Sequence, residues 1–362
     1  MKVMIDATWW HQGPPSGKAI VRNIVHGWHE SFPNDQIILI CKQLGYLDRV
    51  ECLCGNINFP ILNLKYQFLP NGIAILLMQK VKEVDLIITQ NFVPLFQKAY
   101  KIVLFHDVIF MRNPKWFKLS ELFYLKLALK STKRADLIWT SSKNETKNLI
   151  CEVSGCEDKV MQFNLAISIE LVEAVEKKPD QLTLNTQYIL TVGRLNERKN
   201  IKRLIEAFIN RQYLHSNYHL VIVGNENGKF SKIKIESKYK DKIIWLSNIT
   251  DHELKWLYKR AKCFVFPSLD EGFGLPLLEA EYFEVPICAS DLPVFHEVSK
   301  VFVPFNPYDY ESISDAIEDT LKITRDSIGK KSIDSWSNNR PNWIDILIKL
   351  RLQIEKKVTK ND

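Results

Sequence analysis

No run in this chain approaches the roughly 18 uncharged apolar residues that would suggest a membrane span; Ile73 to Met78 falls far short. A signal peptide is missing as well. Met1 to Thr8 leads directly into a strand-like run without an apolar h-region or a small-residue cleavage site, so a cytoplasmic protein with at most peripheral membrane contact is expected. Paired CxxC elements are absent. The seven cysteines, Cys41, Cys52, Cys54, Cys151, Cys156, Cys263 and Cys288, are odd in number and scattered, and they read as reduced thiols. Cys52 and Cys54 alone are close, and no His or Cys group follows at zinc spacing, so no metal site is expected. Neither a GxGxxG fingerprint nor a Walker A loop occurs. The net charge of +7 is a mild basic bias without a recognised motif or stripe, which argues against nucleic acid and fits an anionic small molecule or a membrane surface.

At 362 residues the chain exceeds what one hydrophobic core usually organises, so two domains and a cleft between them are expected. With 46% hydrophobic and 25% charged residues, it can fill two cores. Apolar runs of strand length occur at Lys2 to Ala7, Gln36 to Cys41, Val84 to Thr89, Lys101 to His106 and Asp136 to Ser141. They recur at Tyr188 to Val192, His219 to Val223, Lys242 to Leu246, Cys263 to Phe266 and Val285 to Ala289. Helical patterns lie between them. Strands apolar on both faces that alternate with helices predict an α/β protein with two doubly wound parallel sheets, and ligands outside the carboxyl ends of the strands. The polar stretch Glu170 to Gln187 reads as the linker, which divides the chain near Pro179 into residues 1–179 and 180–337. Beyond it Trp343, Ile344, Leu347, Leu350 and Ile354 form a helical stripe, part of a terminal helix at about 338–362 that could cover either domain.

The most informative stretch is Glu271 to Glu279, Glu-Gly-Phe-Gly-Leu-Pro-Leu-Leu-Glu, after the strand-like Cys263 to Phe266. Gly272 and Gly274 let the backbone approach a ligand, and Pro276 suits the first helical position because it lacks an NH that would be unpaired there. A helix N-terminus attracts anions and hydroxyl oxygens, so this loop suits a phosphorylated sugar, with Glu279 in the first turn as a hydroxyl acceptor. Gly193 to Asn200 follows Tyr188 to Val192 and precedes a helix with Ile201, Leu204, Ile205 and Phe208 on one face and Asn200 as N-cap. Gly193 permits the sharp exit, while Arg194 and Lys199 bring two cations suited to a diphosphate.

In the first half, His106 and Asp107 end a strand, where the imidazole could bond a sugar hydroxyl, move a proton or simply serve structure. The loop Trp9 to Lys18 follows the first strand, and Gly17 and Lys18 could approach phosphate there. Asn113 to Arg134 mixes Trp116, Phe117, Leu119, Leu122, Phe123, Leu125, Leu127 and Leu129 with Lys115, Lys118, Lys126, Lys130, Lys133 and Arg134. It reads first as a core helix with a solvated face, and alternatively as a segment lying on an anionic membrane.

In this order the motifs resemble the retaining nucleotide-sugar glycosyltransferases of family 4, which have the GT-B fold of two Rossmann-like domains facing a cleft. The resemblance is strongest from Tyr188 to Val298, through Thr191-Val-Gly-Arg-Leu, Lys199-Asn200, Val223-Gly224, Glu271 to Glu279 and Pro286 to Ser290. It is weaker in the first half, where Gly17 lacks the small residue and Arg that follow in many relatives. It implies that Arg194 and Lys199 clamp the donor diphosphate without a metal or other cofactor, and that Glu271 contacts the transferred sugar. By the same resemblance the backbone of Gly272, Phe273, Gly274 and Leu275 meets sugar and phosphate, and Glu279 holds the ribose. Ser247 and Asn248 flank the base, His106 reaches the sugar, and the terminal helix returns to the first domain. Relatives usually have Gly at the position of Glu284, at what looks like a helix C-terminus. The expected function is transfer of a hexose, mannose-type favoured and GDP-mannose the leading donor, to a lipid-linked O-antigen or other surface polysaccharide precursor. A sugar phosphorylase or sugar-phosphate synthase, and a non-catalytic glycan-assembly protein, are the alternatives.

Overall fold

The computed structural model describes residues 1–10, 13–40, 84–94, 98–182, 187–226, 229, 233–328 and 341–358. Cys52, Cys54 and Ile73 to Met78 lie outside them. Two compact units emerge, one from Met1–Met111, Leu119–Ala166 and Pro341–Asp362, the other from Arg112–Lys118 and Ile167–Arg340.

The first unit holds a six-stranded sheet with β1 (Lys2–Asp6), β2 (Gln36–Ile40), β3 (Leu86–Gln90), β4 (Tyr100–Leu104), β5 (Leu137–Thr140) and β6 (Val160–Gln162). The order is β2-β1-β3-β4-β5-β6, parallel throughout. Its helices are α1 (Pro15–Ser31), α2 (Ile109–Arg112, whose last residue joins the second unit), α3 (Leu119–Ser131), α4 (Lys143–Glu152) and α12 (Trp343–Val358). Helix α12 packs on α1, where Gly27 makes room: a Cβ there would lie 2.8 Å from Leu347 Cδ1. Arg351 then ion-pairs with Asp35 at 2.7 Å, and Asp35 also accepts a hydrogen bond from the Trp28 indole at 3.1 Å.

The second unit holds β7 (Tyr188–Val192), β8 (His219–Val223), β9 (Ile243–Leu246), β10 (Cys263–Phe266), β11 (Ile287–Ser290) and β12 (Val303–Phe305), ordered β12-β11-β10-β7-β8-β9 and again all parallel. Around it lie α5 (Ile169–Glu173), α6 (Ile201–Asn210), α7 (Gln212–Asn217), α8 (Asp251–Arg260), α9 (Leu275–Tyr282), α10 (Pro293–Val298) and α11 (Tyr310–Leu321). The buried positions of α6 are Ile201, Leu204, Ile205, Ala207 and Phe208, the face set by the helical repeat. The units divide at Ala166 and Ile167, ahead of Pro179, because Lys255 Nζ donates to Val172 O at 2.6 Å and Lys259 and Arg260 both pair with Glu176.

Twelve strands stand where ten were expected among the described residues. The two additions, β6 and β12, are three-residue edge strands, and Pro304 in β12 cannot donate to a ladder, which confines it to an edge.

Helix α3 departs from the expected core helix with a solvated polar face. Ala128 and Leu129 are buried and Tyr124 packs on Phe92 with ring centroids 5.0 Å apart, yet Leu119, Phe123 and Leu127 on the other side are exposed.

Glu284 follows the end of α9 with φ 56°, the left-handed backbone that makes glycine the usual choice at that place. Glu284→Gly is therefore expected to stabilise the protein by up to about 1 kcal/mol, less whatever the lost attraction to Arg325 contributes. Urea denaturation checks this; a Gly variant that unfolds at lower urea would show that the left-handed strain is offset.

Candidate active site

In the second unit the strand order reverses between β7 and β10: β8 and β9 extend the sheet on one side of β7, while β10 to β12 extend it on the other. Loops leaving adjacent strands at such a point diverge and leave a crevice outside the carboxyl edge. The loop after β7 carries Gly193 to Asn200 and the loop after β10 carries Pro267 to Gly274.

The first of these loops contains a short 3₁₀ turn, Glu197–Lys199, capped by the Asn196 side chain, which accepts from Lys199 N at 3.3 Å. This turn aims Arg198 and Lys199 inward, and Leu269 N donates to Arg198 O at 2.8 Å to tie the two loops together. Lys199 Nζ then donates to Glu271 Oε1 at 2.6 Å and Arg198 Nη1 to Glu271 Oε2 at 2.8 Å. Ser268 Oγ adds a third hydrogen bond to Glu271 at 2.7 Å, and Arg198 also reaches Asp270 O at 3.0 Å. All four side chains are buried. Lys199 passes over the Phe266 ring at 4.5 Å and along Gly193, where a Cβ would stand 3.1 Å from Lys199 Cε.

Burial alone would raise the Glu271 carboxyl, but the charges of Arg198 and Lys199, with the hydrogen bonds from Lys199 and Ser268, hold it at about 2. Burial also drives Lys199 down to about 8; Glu271 opposes this, while Arg198 and Arg194 add to it. At neutral pH the cluster thus holds one carboxylate against two cations. Half-buried Arg194 adds further positive charge beside them, so the site carries a cationic surplus in a partly dry setting.

Gly274, with φ 101°, is the N-cap of α9, and Phe295 packs so closely that a Cβ there would come within 2.9 Å of its ring. Helix α9 begins at Leu275, so Pro276 is its second residue and Glu279 lies in the second turn rather than the first. Glu279 is half-buried and accepts a hydrogen bond from Tyr258 OH at 2.8 Å. Burial raises its carboxyl to about 7 against that hydrogen bond, with Asp251 adding to the rise. The folded protein therefore holds this proton more tightly than the unfolded chain, and the stability so gained is lost as pH climbs from about 4.5 through 7. Glu279→Gln should flatten the stability profile across that window; a thermal-melt series at fixed ionic strength with unchanged slope would refute it.

Ser247 and Asn248 follow β9, three strands from β10 in the same sheet, and both are exposed. Asn248 has φ 55° and is held by a reciprocal amide pair with Asn225, at 2.9 and 3.3 Å. Asn200 does not cap α6 with its side chain as expected. It is left-handed at φ 56°, and its Nδ2 donates to Pro307 O at 2.7 Å.

The first unit has its own reversal point, between β1 and β3. Asp6, buried at the end of β1, accepts from Thr8 N and Oγ1 at 3.0 and 2.6 Å. His106, just past β4, bonds Gln90 Oε1 through Nε2 at 2.9 Å and stacks on Trp9 at 5.3 Å. Gly17 is not in a loop as expected. It sits in the first turn of α1, where Pro14 and Pro15 start the helix, and a Cβ on it would lie 2.4 Å from the Trp9 ring.

Four polar groups escaped the sequence reading: Arg198, Ser268, Tyr258 and Asp6. Arg198 was in view as one of two adjacent cations in the turn before Asn200, with nothing in the sequence to mark it as the one that turns inward. Tyr258 had no signal, since it occupies an apolar helical position. Among the described residues no group of three or more His, Cys, Asp or Glu could hold a metal ion.

A doubly wound unit with a cationic crevice and a helix N-terminus at its reversal point has the chemistry to receive an anionic ligand. Residues 173–340 match the family described as glycosyl transferases group 1. The chain is 27% identical over 266 residues to the O-antigen chain mannosyltransferase RfbU of Salmonella typhimurium, covering 71% of this chain and 72% of that one. It is 28% identical over 256 residues to the serotype-specific mannosyltransferase WbdA of Escherichia coli, 62% of this chain but only 30% of that one. The structure of sucrose-phosphate synthase from Thermosynechococcus elongatus shares the fold over 100% of both chains, with a TM-score of 0.71 at 15% identity. The chain thus carries a glycosyl transferases group 1 domain over residues 173–340 and has the GT-B glycosyltransferase fold.

Proposed function

We propose that this chain moves a hexose, mannose in the favoured case, from a nucleoside diphosphate sugar to a lipid-linked or polysaccharide acceptor, with retention of anomeric configuration. The observation that carries the reading is the cationic surplus around Glu271 at the β7 and β10 mouths. A donor diphosphate brings the negative charge that this surplus lacks. Lys199 and Arg194 stabilise the charge that grows on the leaving diphosphate, so that no metal is needed for that task. Glu271, held ionised and fixed by three hydrogen bonds, contacts the transferred sugar. The turn Gly272 to Leu275 offers its backbone to sugar and phosphate, Glu279 accepts from the ribose hydroxyls, and Ser247 and Asn248 flank the base. For His106 the family resemblance implies a sugar contact, and Gly17, from its place after the first strand, approaches phosphate; His106→Ala and Gly17→Ala test the two. Mannose and a surface-polysaccharide acceptor are favoured because RfbU and WbdA are mannosyltransferases, and GDP-mannose is the leading donor.

A thermal-shift screen of GDP, UDP, dTDP and their sugars tests the donor. A true donor at about 100 times its dissociation constant should stabilise by about 2.7 kcal/mol, with GDP and GDP-mannose foremost. Stabilisation by none of them sinks the donor reading. Transfer from GDP-mannose should persist in EDTA, and its loss there would overturn the metal-free role of Lys199 and Arg194.

A further inference from the structure

Tyr258, in the last turns of α8, is fully buried, and its hydroxyl reaches across to α9, where it donates to Glu279 Oε2 at 2.8 Å. The ring is held on all sides. It stacks on Phe283 with centroids 5.7 Å apart and 18° between the planes, and Phe264 lies against it at 5.7 Å. Arg325 braces the backbone, donating to Tyr258 O and Ala261 O at 2.9 and 2.7 Å and to Phe283 O at 2.8 Å, which ties the carboxyl ends of α8 and α9 together. Tyr188 OH adds a bond to Leu257 O at 2.7 Å. The phenol is thus a fixed point, and Glu279 is the group it fixes. A carboxylate otherwise turns readily about its last torsion, which is broad and roughly two-fold. With Oε2 held, Oε1 is the oxygen left to meet a ligand; among the described residues it accepts no hydrogen bond.

We propose that Tyr258 is a positioning residue for the donor: by holding Glu279 Oε2 it directs Oε1 to a ribose hydroxyl. The inference rests on the ribose role proposed for Glu279. The same geometry fixes the place of a proton. Because Oε2 accepts from the phenol, the proton that Glu279 keeps up to about pH 7 sits on Oε1, where a ribose hydroxyl must donate. Ribose and proton compete for one oxygen, so donor binding weakens as pH falls through about 7. Besides Tyr258, Lys199 in the turn after β7 favours the ionised carboxylate, and Asp251 at the start of α8 opposes it. Tyr258→Phe removes a hydrogen bond that favours the ionised form, so in that variant the proton is held to higher pH and the weakening begins there.

The test is calorimetric titration of the full-length protein with GDP-mannose and with UDP-glucose across neutral pH, in buffers of different ionisation enthalpy so that released protons are counted. The unmodified protein should release about half a proton on binding near pH 7. Tyr258→Phe should bind about tenfold more weakly there and release more of a proton, with the midpoint of its affinity profile moved to higher pH. Glu279→Ala should abolish the proton release, and adding Tyr258→Phe to it should change affinity by less than about twofold, because the phenol then has nothing to position. The Phe variant keeps the ring contacts. Should its melting temperature fall all the same, the pH midpoint still decides, since lost packing alone leaves that midpoint in place. An unmoved midpoint and unchanged affinity in Tyr258→Phe, beside weakened binding in Glu279→Ala, overturns this inference and spares the ribose role. Undiminished binding by Glu279→Ala removes the ribose role and this inference with it, and binding of neither nucleotide sugar to the unmodified protein removes the donor reading as well.

Discussion

Glu271→Gln is expected to lower sugar transfer by at least about 100-fold and to destabilise the unliganded protein by about 3 kcal/mol. The substitution keeps the side-chain shape and removes only the charge. Arg198 and Lys199 then face each other across a buried site with no anion between them, where one partner of a buried ion pair has been deleted. Lys199 already sits at about 8, and it loses the neighbour that raises it, so its ammonium gives up its proton at lower pH still. For a lysine depressed in the folded state, the unfolded chain binds the extra proton, so stability rises with pH between the folded value and 10.5. In the unmodified protein that window opens near 8; in the variant it opens lower. Pyrophosphate should recover part of the lost stability by supplying the missing negative charge to the same two cations. Melting curves across pH with and without pyrophosphate, beside transfer rates, check each step. A variant that melts like the unmodified protein and transfers within about threefold of it would remove Glu271 from the centre of the site.

That cluster was only half legible in the sequence. Glu271 and Lys199 stood out because each follows an apolar strand and precedes a helix, which fixes both at the carboxyl edge of one sheet. What the sequence could not show is that they touch, since their contact spans 72 positions and depends on β10 lying beside β7. Arg198 was overlooked because a loop with several cations gives no sign of which turns inward. The turn capped by Asn196 and the backbone bond to Leu269 decide it. Buried strands such as Tyr188–Val192, His219–Val223 and Cys263–Phe266 were readable to the residue, because a run apolar on both faces has one stable place. The edge strands β6 and β12 lacked that signature. In α3 the periodicity was visible but ambiguous: apolar residues on both sides do not say which side the protein covers, so only the structure shows Phe123 outside.

Gly224→Ala is expected to destabilise the protein by about 3 kcal/mol or more, because it adds a methyl group where no space exists. An ideal Cβ on Gly224 would stand 1.8 Å from Gly193 O and 3.0 Å from Gly193 C. The clashing atom is a backbone oxygen, so no side-chain rotation relieves it. Nor can the two chains part easily. Gly193 N donates to Val223 O at 3.0 Å and Leu195 N to Asn225 O at 2.9 Å, so separation strains two bonds between the segments, and Gly224 N is tied on its other side to Leu246 O at 2.9 Å. Whatever shift does occur moves the exit of β7, and with it the turn that holds Lys199 at 2.6 Å from Glu271. Transfer should therefore fall with stability, by about 100-fold for a displacement near 1 Å. A drop of about 2–4 °C in melting temperature per kcal/mol, the scale for a domain of about 150–250 residues, makes the loss of stability of the second unit easy to read. Gly155→Ala supplies the comparison: Gly155 has φ 75° but open space around it, so only the backbone term of about 1 kcal/mol should appear there. If Gly224→Ala loses no more than Gly155→Ala, the close approach of the β7 and β8 exits does not hold the cation turn in place.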